Sequence, residues 1–270
     1  MNVYRELQSF YNAYRGEKRI IGKSHEGRDI YAMFLGSHAA PVGIATYAMH
    51  AREWITAYLG MEHVRRGGIA GGVWVVPLVN PDGALLVQEG ASSLRATSRR
   101  TVELINGSDD FSLWKANARA VDLNVNWDAD WGTGEKNVFH PASENYVGTA
   151  PFSEPETRAL RDFTLETAPD FTLSYHTKGE VVYWRYGQGL LRARRDRRYV
   201  KIISRVTGYP AATARGSAGG YKDWCIRSLK IPAYTIEAGN DALSHPLGLS
   251  ALEEIVGRNI DVLATLTREF

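Results

Sequence analysis

Cysteine is almost absent from this sequence, since Cys225 is the only one among 270 residues. An intrachain disulfide framework is therefore excluded, and the composition is compatible with a reducing compartment. An excess of charge of one sign is also missing, because 32 basic side chains are matched by 30 acidic ones. This balance provides no global field that would attract nucleic acid or anionic lipid, so we expect no nucleic-acid partner.

Long apolar runs are missing as well. No uninterrupted apolar segment reaches the roughly 20 residues that a membrane-spanning helix requires. The N-terminal segment MNVYRELQSFYNAYRGEKR mixes charge and polarity from Glu6 onward, unlike the apolar core of a secretory signal. We therefore expect no membrane span and a cytoplasmic protein as the sequence is written, whereas an extracytoplasmic location is compatible with a trimmed chain. The sequence carries no signal for an oligomeric state.

Apolar segments typical of strands alternate with helical patterns along the chain. The strand-like segments are IYAMFLG, VGIATYAM, VWVVPLV, DFTLSYH and AYTIEAG. Such an alternation predicts an α/β fold with a largely parallel sheet that is covered on both faces. Helices are predicted from about Glu53 to Arg66 and from Ala251 to Phe270, and a long irregular or helical excursion from Gly83 to Phe111. The glycine-rich breaks are too short for linkers, so one domain over residues 1–270 is predicted.

Four polar residues follow or end these predicted strands. They are His50 after VGIATYAM, Glu53 at the start of the next helix, His176 at the end of DFTLSYH and Glu237 after AYTI. In open α/β sheets the ligand site lies beyond the carboxyl ends of the strands. Two imidazoles and one carboxylate are typical ligands of a catalytic zinc that keeps one position for water. A lone strand-end histidine is more often packed or hydrogen-bonded, so the zinc hypothesis depends on all three residues together.

Glu237 can serve the same site without binding the metal. A zinc ion lowers the pKa of its water to about 7, and a neighbouring carboxylate can take the proton and pass it to a leaving amine. That chemistry is amide hydrolysis. The alternative for Glu237 is a buried salt bridge at the edge of the sheet.

The remaining chemically notable residues receive ordinary interpretations. The basic run LRARRDRR, which ends at Arg198, is predicted to be a solvated helical face, with binding of an acidic substrate or polymer as the alternative. Cys225 is predicted to be buried. The other histidines, His25, His38, His63, His140 and His245, are predicted to be solvent-facing or locally capped. For Asp122, Asp128 and Asp130 loop capping is favoured, and orientation of a zinc-bound imidazole is the alternative.

An ordered set of motifs runs through nearly the whole chain. The motifs are GKSHEGRDIY, HAREW, PLVNPDG, WKANARAVDLNVNWDADWG, FSEPET, SYHTKGEVVYW, GSAGGYKDW and YTIEAG. Together they resemble the zinc carboxypeptidase family (peptidase family M14), whose best-known members are the pancreatic carboxypeptidases. The resemblance implies one α/β/α domain around a mixed, mostly parallel eight-stranded sheet with helices on both faces. It also implies one Zn²⁺ per chain held by His50, Glu53 and His176, with Glu237 as general base.

The resemblance assigns further roles residue by residue. Arg52 in HARE matches the arginine that assists substrate binding and carbonyl polarisation, and Asn124 matches the asparagine that binds the terminal carboxylate of the substrate. The arginine that follows this asparagine in true carboxypeptidases is replaced by Val125, which removes the bidentate clamp for a C-terminal carboxylate. The cation that stabilises the oxyanion is matched by Lys115, with Arg119 as the competing candidate.

Three more cations distinguish this sequence from the pancreatic pattern. Arg215 replaces the tyrosine that closes over the substrate, Lys222 lies at the position that forms the base of the specificity pocket, and Lys178 follows the second histidine motif. Each is as readily a surface charge as a substrate contact. With these departures the sequence resembles the bacterial γ-D-glutamyl-L-diamino acid peptidases. Those enzymes cut the bond between the γ-carboxyl of D-glutamate and diaminopimelate in peptidoglycan stem peptides.

Three functions are therefore weighed. The first is a zinc-dependent γ-D-glutamyl-diaminopimelate peptidase acting on a stem peptide or muropeptide, because the full zinc and base set occurs without the carboxylate clamp. The second is a metallocarboxypeptidase that releases acidic C-terminal residues, with Lys222 in its pocket. The third is a non-catalytic peptide-binding module, against which the retention of every metal ligand argues. Defined muropeptides would show whether cleavage is exo or endo.

Overall fold

Eight strands form a single mixed sheet in this computed structural model, which describes residues 2–270. The strands are β1 (Lys18–Lys23), β2 (Asp29–Gly36), β3 (Val42–Tyr47), β4 (Gly72–Val76), β5 (Phe171–His176), β6 (Val181–Tyr183), β7 (Ala211–Ala212) and β8 (Ala233–Glu237). Their order across the sheet is β1-β2-β4-β3-β5-β8-β6-β7. The central strands β4, β3, β5 and β8 are parallel to one another, and antiparallel pairing occurs toward the edges. The predicted fold class is confirmed.

Helices cover both faces of this sheet. The α-helices are α1 (Val3–Ala13), α2 (Ile55–Arg66), α3 (Pro81–Glu89), α4 (Ala96–Asn106), α5 (Pro155–Thr167), α6 (Leu190–Thr207), α7 (Tyr221–Trp224), α8 (Leu252–Asn259) and α9 (Val262–Glu269). Along β2, Tyr31 and Met33 belong to the core beneath α1, α2, α6, α8 and α9, whereas Ala32 and Phe34 belong to the core beneath α5 and α7. Because side chains alternate along a strand, both faces are apolar and both are buried.

The helical predictions agree with the structure except at their ends. Residues 51–53 form a short 3-10 turn before α2 begins at Ile55. The predicted excursion after Gly83 is largely helical, since it contains most of α3 and all of α4. The predicted closing helix is divided, because α8 ends at Asn259 and α9 begins at Val262. Cys225 is buried as predicted. Within residues 2–270 no helix combines the length and apolarity needed to cross a bilayer.

The sheet topology places the candidate residues at one edge. The parallel strands β3, β5 and β8 are neighbours, so their carboxyl ends lie side by side. His176 is the last residue of β5 and is the register partner of Glu237, the last residue of β8. The backbone N–H of Ala238 donates to the carbonyl of His176 at 2.8 Å. One ladder therefore fixes these two side chains relative to each other.

His63 corrects one of the sequence predictions, because it is buried rather than exposed. Its side chain links the core to the C-terminal helices: Tyr47 Oη lies 2.8 Å from Nδ1, and Nε2 lies 3.0 Å from the Asn259 carbonyl. A neutral ring satisfies both contacts, with Nε2–H donating to the carbonyl and Nδ1 accepting from the hydroxyl. Burial lowers the pKa of His63 from 6.5 to about 4, although the Asn259 carbonyl acts in the opposite direction.

His63 should therefore make stability depend on pH. Between pH 6.5 and about 4 the unfolded chain binds a proton at this site and the folded chain does not, so stability is lost as the pH falls through that window. At 1.36 kcal/mol per unit, the contribution is about 3 kcal/mol. We expect urea unfolding of His63→Gln to show a weaker dependence on pH than the wild type. The exposed control His140→Gln should keep the wild-type dependence, and equal slopes in all three proteins would contradict the assignment.

Candidate active site

The three predicted zinc ligands converge at the edge described above. After β3 ends at Tyr47, the chain turns into the 3-10 segment Ala51–Glu53, which His50 precedes as its N-cap. This turn places His50 Nδ1 2.8 Å from Glu53 Oε1. His176 reaches the same point from β5, with Nδ1 2.9 Å from Glu53 Oε2 and 3.1 Å from His50 Nδ1.

This cluster fits a zinc ion by its donor chemistry. One ligand atom from each of His50, Glu53 and His176 lies within 4.8 Å of the others, and all three residues are buried. It is the one group of three or more candidate ligands found among residues 2–270. Both imidazoles direct Nδ1 toward the carboxylate, and a three-ligand set of this kind leaves a coordination position for water.

Asp122 lies behind the three candidate zinc ligands and connects His50 to Lys115. Its Oδ1 is 3.3 Å from His50 Nε2, and its Oδ2 is 2.8 Å from Lys115 Nζ. It also caps its loop, because its carboxylate accepts from the backbone N–H groups of Asn124 and Asn145. The sequence favoured capping over contact with an imidazole, whereas the structure shows the caps and the contact with His50 in one fully buried side chain. Such partners orient metal-binding imidazoles and select the nitrogen that faces the ion.

The other two aspartates of that region do not contact the candidate zinc ligands, whereas the second histidine has a polar neighbour of its own. Asp128 is exposed. Asp130 pairs with Arg227 and accepts a hydrogen bond from the Tyr186 hydroxyl, and it is not one of the three converging ligands. His176 Nε2 lies 3.1 Å from Ser174 Oγ, two residues earlier in β5. Both metal-facing imidazoles therefore have a polar group beside the nitrogen that does not face the cluster.

Burial and charge act in opposite directions in this cluster. Burial alone would raise the pKa of Glu53, but His50 and His176 hold it below its ordinary value. Burial would likewise raise the pKa of Asp122, and Lys115 and His50 hold it well below its ordinary value. The pKa of Lys115 is raised despite burial because Asp122 stabilises its charge. Glu53 and Asp122 are therefore ionised at neutral pH, with the charged Lys115 beside Asp122.

Glu237 faces the cleft next to these residues but is not one of the three converging ligands. Burial raises the pKa of its carboxyl group; His176, Lys115 and Arg52 oppose that shift, and Glu53 adds to it. No salt bridge of Glu237 occurs within residues 2–270, so the structure does not support the alternative of a buried ion pair. A carboxyl group with a raised pKa beside a metal site is suited to exchange protons.

A cleft of about 550 Å³ extends from Glu237. Of the eight predicted catalytic and substrate-binding residues, five line it: Lys115, Asn124, Arg215, Lys222 and Glu237. Asn124 Oδ1 accepts from the backbone N–H of Tyr221 at 3.2 Å, which leaves its NH₂ group as the end available to a ligand. Val125 also lines the cleft at the position where the carboxylate clamp is absent.

The remaining three cations lie outside that lining. Arg119 extends to Glu154, with 3.7 Å between Nη1 and Oε1. Lys178 Nζ donates to the Asp241 carbonyl at 2.6 Å and to its carboxylate at 2.9 Å. Arg52 donates to the Leu113 carbonyl at 3.1 Å, and its charge lowers the pKa of Glu237. The structure thus brings Lys115, and not Arg119, into the cleft beside Glu237.

Lys222 has a partner in the structure that the sequence analysis did not assign to it. Its Nζ forms an ion pair with the carboxylate of Asp223, and both side chains are more than nine-tenths buried. Nζ also lies 5.3 Å from the centre of the Tyr186 ring. Asp223, which accepts from the backbone N–H of Gly220 at 3.2 Å, lines the cleft as well. Sequence reasoning missed this partner, although the adjacent Lys-Asp dipeptide was visible in YKDW.

His245 is a second residue that the sequence did not connect to the site. Its half-buried imidazole is close enough to Glu53, Arg52 and Lys178 for their charges to affect it. Burial lowers its pKa, and Glu53 opposes that shift. Its Nδ1 is buried without a hydrogen-bond partner among the described residues. No sequence spacing signalled this approach, because a loop after β8 carries it.

Comparisons with known proteins agree with this geometry. A family model described as zinc carboxypeptidase matches residues 4–66 and 72–247. The chain is 31% identical to the gamma-D-glutamyl-L-diamino acid endopeptidase 1 of Lysinibacillus sphaericus, over 94% of this chain and 67% of that protein. It is 28% identical to the uncharacterized protein YqgT of Bacillus subtilis (strain 168), over 91% of this chain and 70% of that protein.

Solved structures share the fold at lower identity. Bovine thrombin-activatable fibrinolysis inhibitor, in complex with tick carboxypeptidase inhibitor, superposes with a TM-score of 0.77 at 19% identity, covering 99% of this chain and 95% of that chain. The murein-tripeptide amidase MpaA from Escherichia coli O157 superposes with a TM-score of 0.62 at 22% identity, covering 97% of this chain and 95% of that chain.

Proposed function

This chain belongs to the zinc carboxypeptidase family, and from that premise we propose that it hydrolyses the γ-D-glutamyl-diaminopimelate amide bond of peptidoglycan stem peptides. The enzyme is a metallopeptidase whose cofactor is one zinc ion per chain. His50, Glu53 and His176 would hold that ion. When bound, zinc supplies a water of lowered pKa and polarises the carbonyl that is attacked.

The residues of the chain then divide the remaining work. Glu237 takes the proton of the attacking water and delivers it to the leaving amine. Lys115, held by Asp122 at 2.8 Å, presents a cation to the oxygen that becomes negative in the transition state. Asp122 keeps both His50 and Lys115 in place. Asn124 offers its amide N–H groups to a substrate carboxylate or carbonyl.

The observation that carries the substrate assignment is the ion pair between Lys222 and Asp223 in the wall of the cleft. A lone lysine would select an acidic side chain, but here its charge is balanced by an adjacent carboxylate. A buried pair of opposite charges is complementary to a ligand that itself carries both charges. The distal end of diaminopimelate bears an ammonium and a carboxylate on one carbon, so it can match Asp223 and Lys222 together.

Two further observations support the same substrate. Val125 in the cleft cannot form the bidentate contact that an arginine makes with a C-terminal α-carboxylate. The relative from Lysinibacillus sphaericus is named for cleavage next to an L-diamino acid, and it aligns with nearly this whole chain. The acidic carboxypeptidase weighed above uses Lys222 as its pocket cation, and the charge of Lys222 is already balanced by Asp223.

The test measures how efficiently the zinc-loaded protein cleaves three peptides. They are L-Ala-γ-D-Glu-diaminopimelate, the same peptide with L-lysine in place of diaminopimelate, and an α-peptide that ends in L-glutamate. We expect kcat/KM to be about 10–100-fold higher for the first than for the second, because one hydrogen bond to a charged group is lost. Mass spectrometry of the products identifies the bond that is cut and distinguishes exo from endo cleavage.

The same assay includes Lys222→Met, which should reduce the preference for diaminopimelate over lysine. Faster release of L-glutamate from the α-peptide than of diaminopimelate from the γ-peptide would overturn the proposal and favour the acidic carboxypeptidase. If Lys222→Met preferred diaminopimelate over lysine as strongly as the wild type does, the ion pair would not determine substrate specificity.

The geometry also separates the two candidates for the oxyanion cation. We expect Lys115→Met to lower kcat by about 10²–10³-fold, the usual cost of removing one donor to a developing oxyanion. Arg119→Met is the matched control, since Arg119 pairs with Glu154 outside the cleft, and it should retain wild-type kcat. Steady-state kinetics with zinc content measured for each variant gives the answer. A larger loss in Arg119→Met than in Lys115→Met would reverse the assignment.

A further inference from the structure

One face of helix α6 exposes only leucines and cations to solvent. The helix runs from Leu190 to Thr207, and seven of its residues are exposed. They form the α6 face: Leu190, Leu191, Arg194, Arg197, Arg198, Lys201 and Arg205. Every one is either a leucine or a cation, and the only acid of the helix, Asp196, is buried. At 1.5 Å per residue the face is about 22 Å long.

The charge of this helix is hidden by the balance of the whole chain. Its 18 residues contain seven cations and one acid, a formal charge of +6, whereas the complete chain has only +2. The rest of the protein therefore carries −4, so the net positive charge of the chain resides on α6. Arg205 pairs with Glu269, but Arg194, Arg197 and Lys201 have no acidic partner within residues 2–270.

The two leucines give the face an apolar end. Leu190 is 84% exposed and Leu191 is 82% exposed, so both side chains project almost completely into solvent at the first turn of the helix. Single exposed leucines are ordinary. Two adjacent ones that begin a stripe of cations form an amphipathic arrangement instead, in which an apolar tip and a basic surface point the same way.

A basic recess lies at the N-terminal end of α6, where the chain leads into this apolar tip. It has a volume of about 430 Å³, and Gly187, Gln188 and Arg192, which flank the two leucines in the chain, line it together with Arg227 and Lys230. Among the eight lining residues the three cations outnumber the single acid, Asp130, which Arg227 already neutralises. The recess is thus suited to a small anion such as a phosphate group.

We propose that the α6 face docks this protein on an anionic lipid bilayer. Leu190 and Leu191 enter the acyl boundary, the cations of the stripe lie over the headgroups, and a lipid phosphate occupies the recess. Charge complementarity identifies an anionic surface, and the exposed leucines favour lipid over a soluble anionic polymer, because a polymer offers them no apolar environment. The proposal does not depend on which peptide bond the enzyme cuts.

The experiment is vesicle co-sedimentation of the protein over residues 1–270. Binding should require phosphatidylglycerol in a phosphatidylcholine background and weaken as salt screens the charges. Each cation near an anionic surface contributes about fivefold to affinity. The triple variant Arg194→Gln, Arg197→Gln and Lys201→Gln should therefore bind about 10²-fold more weakly. The double variant Leu190→Gln and Leu191→Gln should lose at least about tenfold.

Matched controls remove the same side-chain types elsewhere. Arg5→Gln, Arg15→Gln and Arg100→Gln together remove the same net charge from exposed positions outside α6, and Leu104→Gln removes a leucine that is 83% exposed on α4. Both controls should bind like the wild type, and all variants should cleave a soluble peptide at the wild-type rate. Absence of binding to the anionic vesicles would overturn the proposal. Binding that survives loss of the leucines and transfers to a soluble anionic polymer would also overturn it and identify a polymer surface instead.

Discussion

Replacement of Glu237 by Gln is expected to lower kcat by about 10²–10⁴-fold while one zinc ion per chain stays bound. The amide keeps the size of the side chain but cannot accept the proton of the attacking water, and loss of a proton carrier costs this much. Glu237 is not among the three converging ligands, so the metal should be retained. Steady-state kinetics and metal analysis on the same preparation measure both quantities.

The pH profile provides a second readout for Glu237. Burial raises the pKa of this carboxyl group above its ordinary 4.5. A base must be ionised to act, so we expect kcat/KM of the wild type to fall on the acid side at a pH above 4.5. The residual activity of Glu237→Gln should lack this limb. A variant that retains full activity, or that loses its zinc, would contradict the role of general base.

The same chemical change at Glu53 should have a different outcome, namely loss of the metal. Glu53 bridges both imidazoles at 2.8 and 2.9 Å, and a neutral amide is a much poorer zinc ligand. Even a residue that only orients a ligand contributes about 10–100-fold to metal affinity, so Glu53→Gln should bind zinc more than about 10²-fold more weakly. Activity should fall in proportion to the zinc that remains.

Titration with zinc separates the two glutamine variants. Excess zinc should restore part of the activity of Glu53→Gln and none of the activity of Glu237→Gln. Zinc affinity of the wild type should fall as the pH is lowered, because zinc must displace a proton from His50. Burial lowers the pKa of His50, but Glu53 and Asp122 raise it above its ordinary value. Full zinc occupancy in Glu53→Gln at low metal concentration would mean that Glu53 is not a ligand.

The parts of the site that the sequence could predict are those set by the ends of strands. His176 and Glu237 terminate strand-like segments, and His50 follows one closely. Such segments predict parallel strands, and parallel strands place their ends at one edge. The order of motifs then identified the family, and with it the eight-stranded sheet.

The sequence could not predict contacts between residues that are distant in the chain, nor the directions in which side chains point. The approach of Asp122 to His50 joins segments 72 residues apart, and His63 is buried because α8 packs over it. The choice between Lys115 and Arg119 required knowing that Glu154 lies beside Arg119. Lys222 and Asp223 are adjacent, yet only their side-chain directions show that they pair within the cleft.

The register between β5 and β8 limits how this enzyme can be altered. His176 and Glu237 are opposite each other in one ladder, and a single inserted or deleted residue within either strand would turn the side chains beyond it to the other face. The segments that line the far part of the cleft, residues 134–137 and 213–218, lie outside the strands. Variants of this chain, natural or engineered, can therefore acquire new specificities through loop exchange and length variation there. Changes of length within the two strands are expected to abolish hydrolysis.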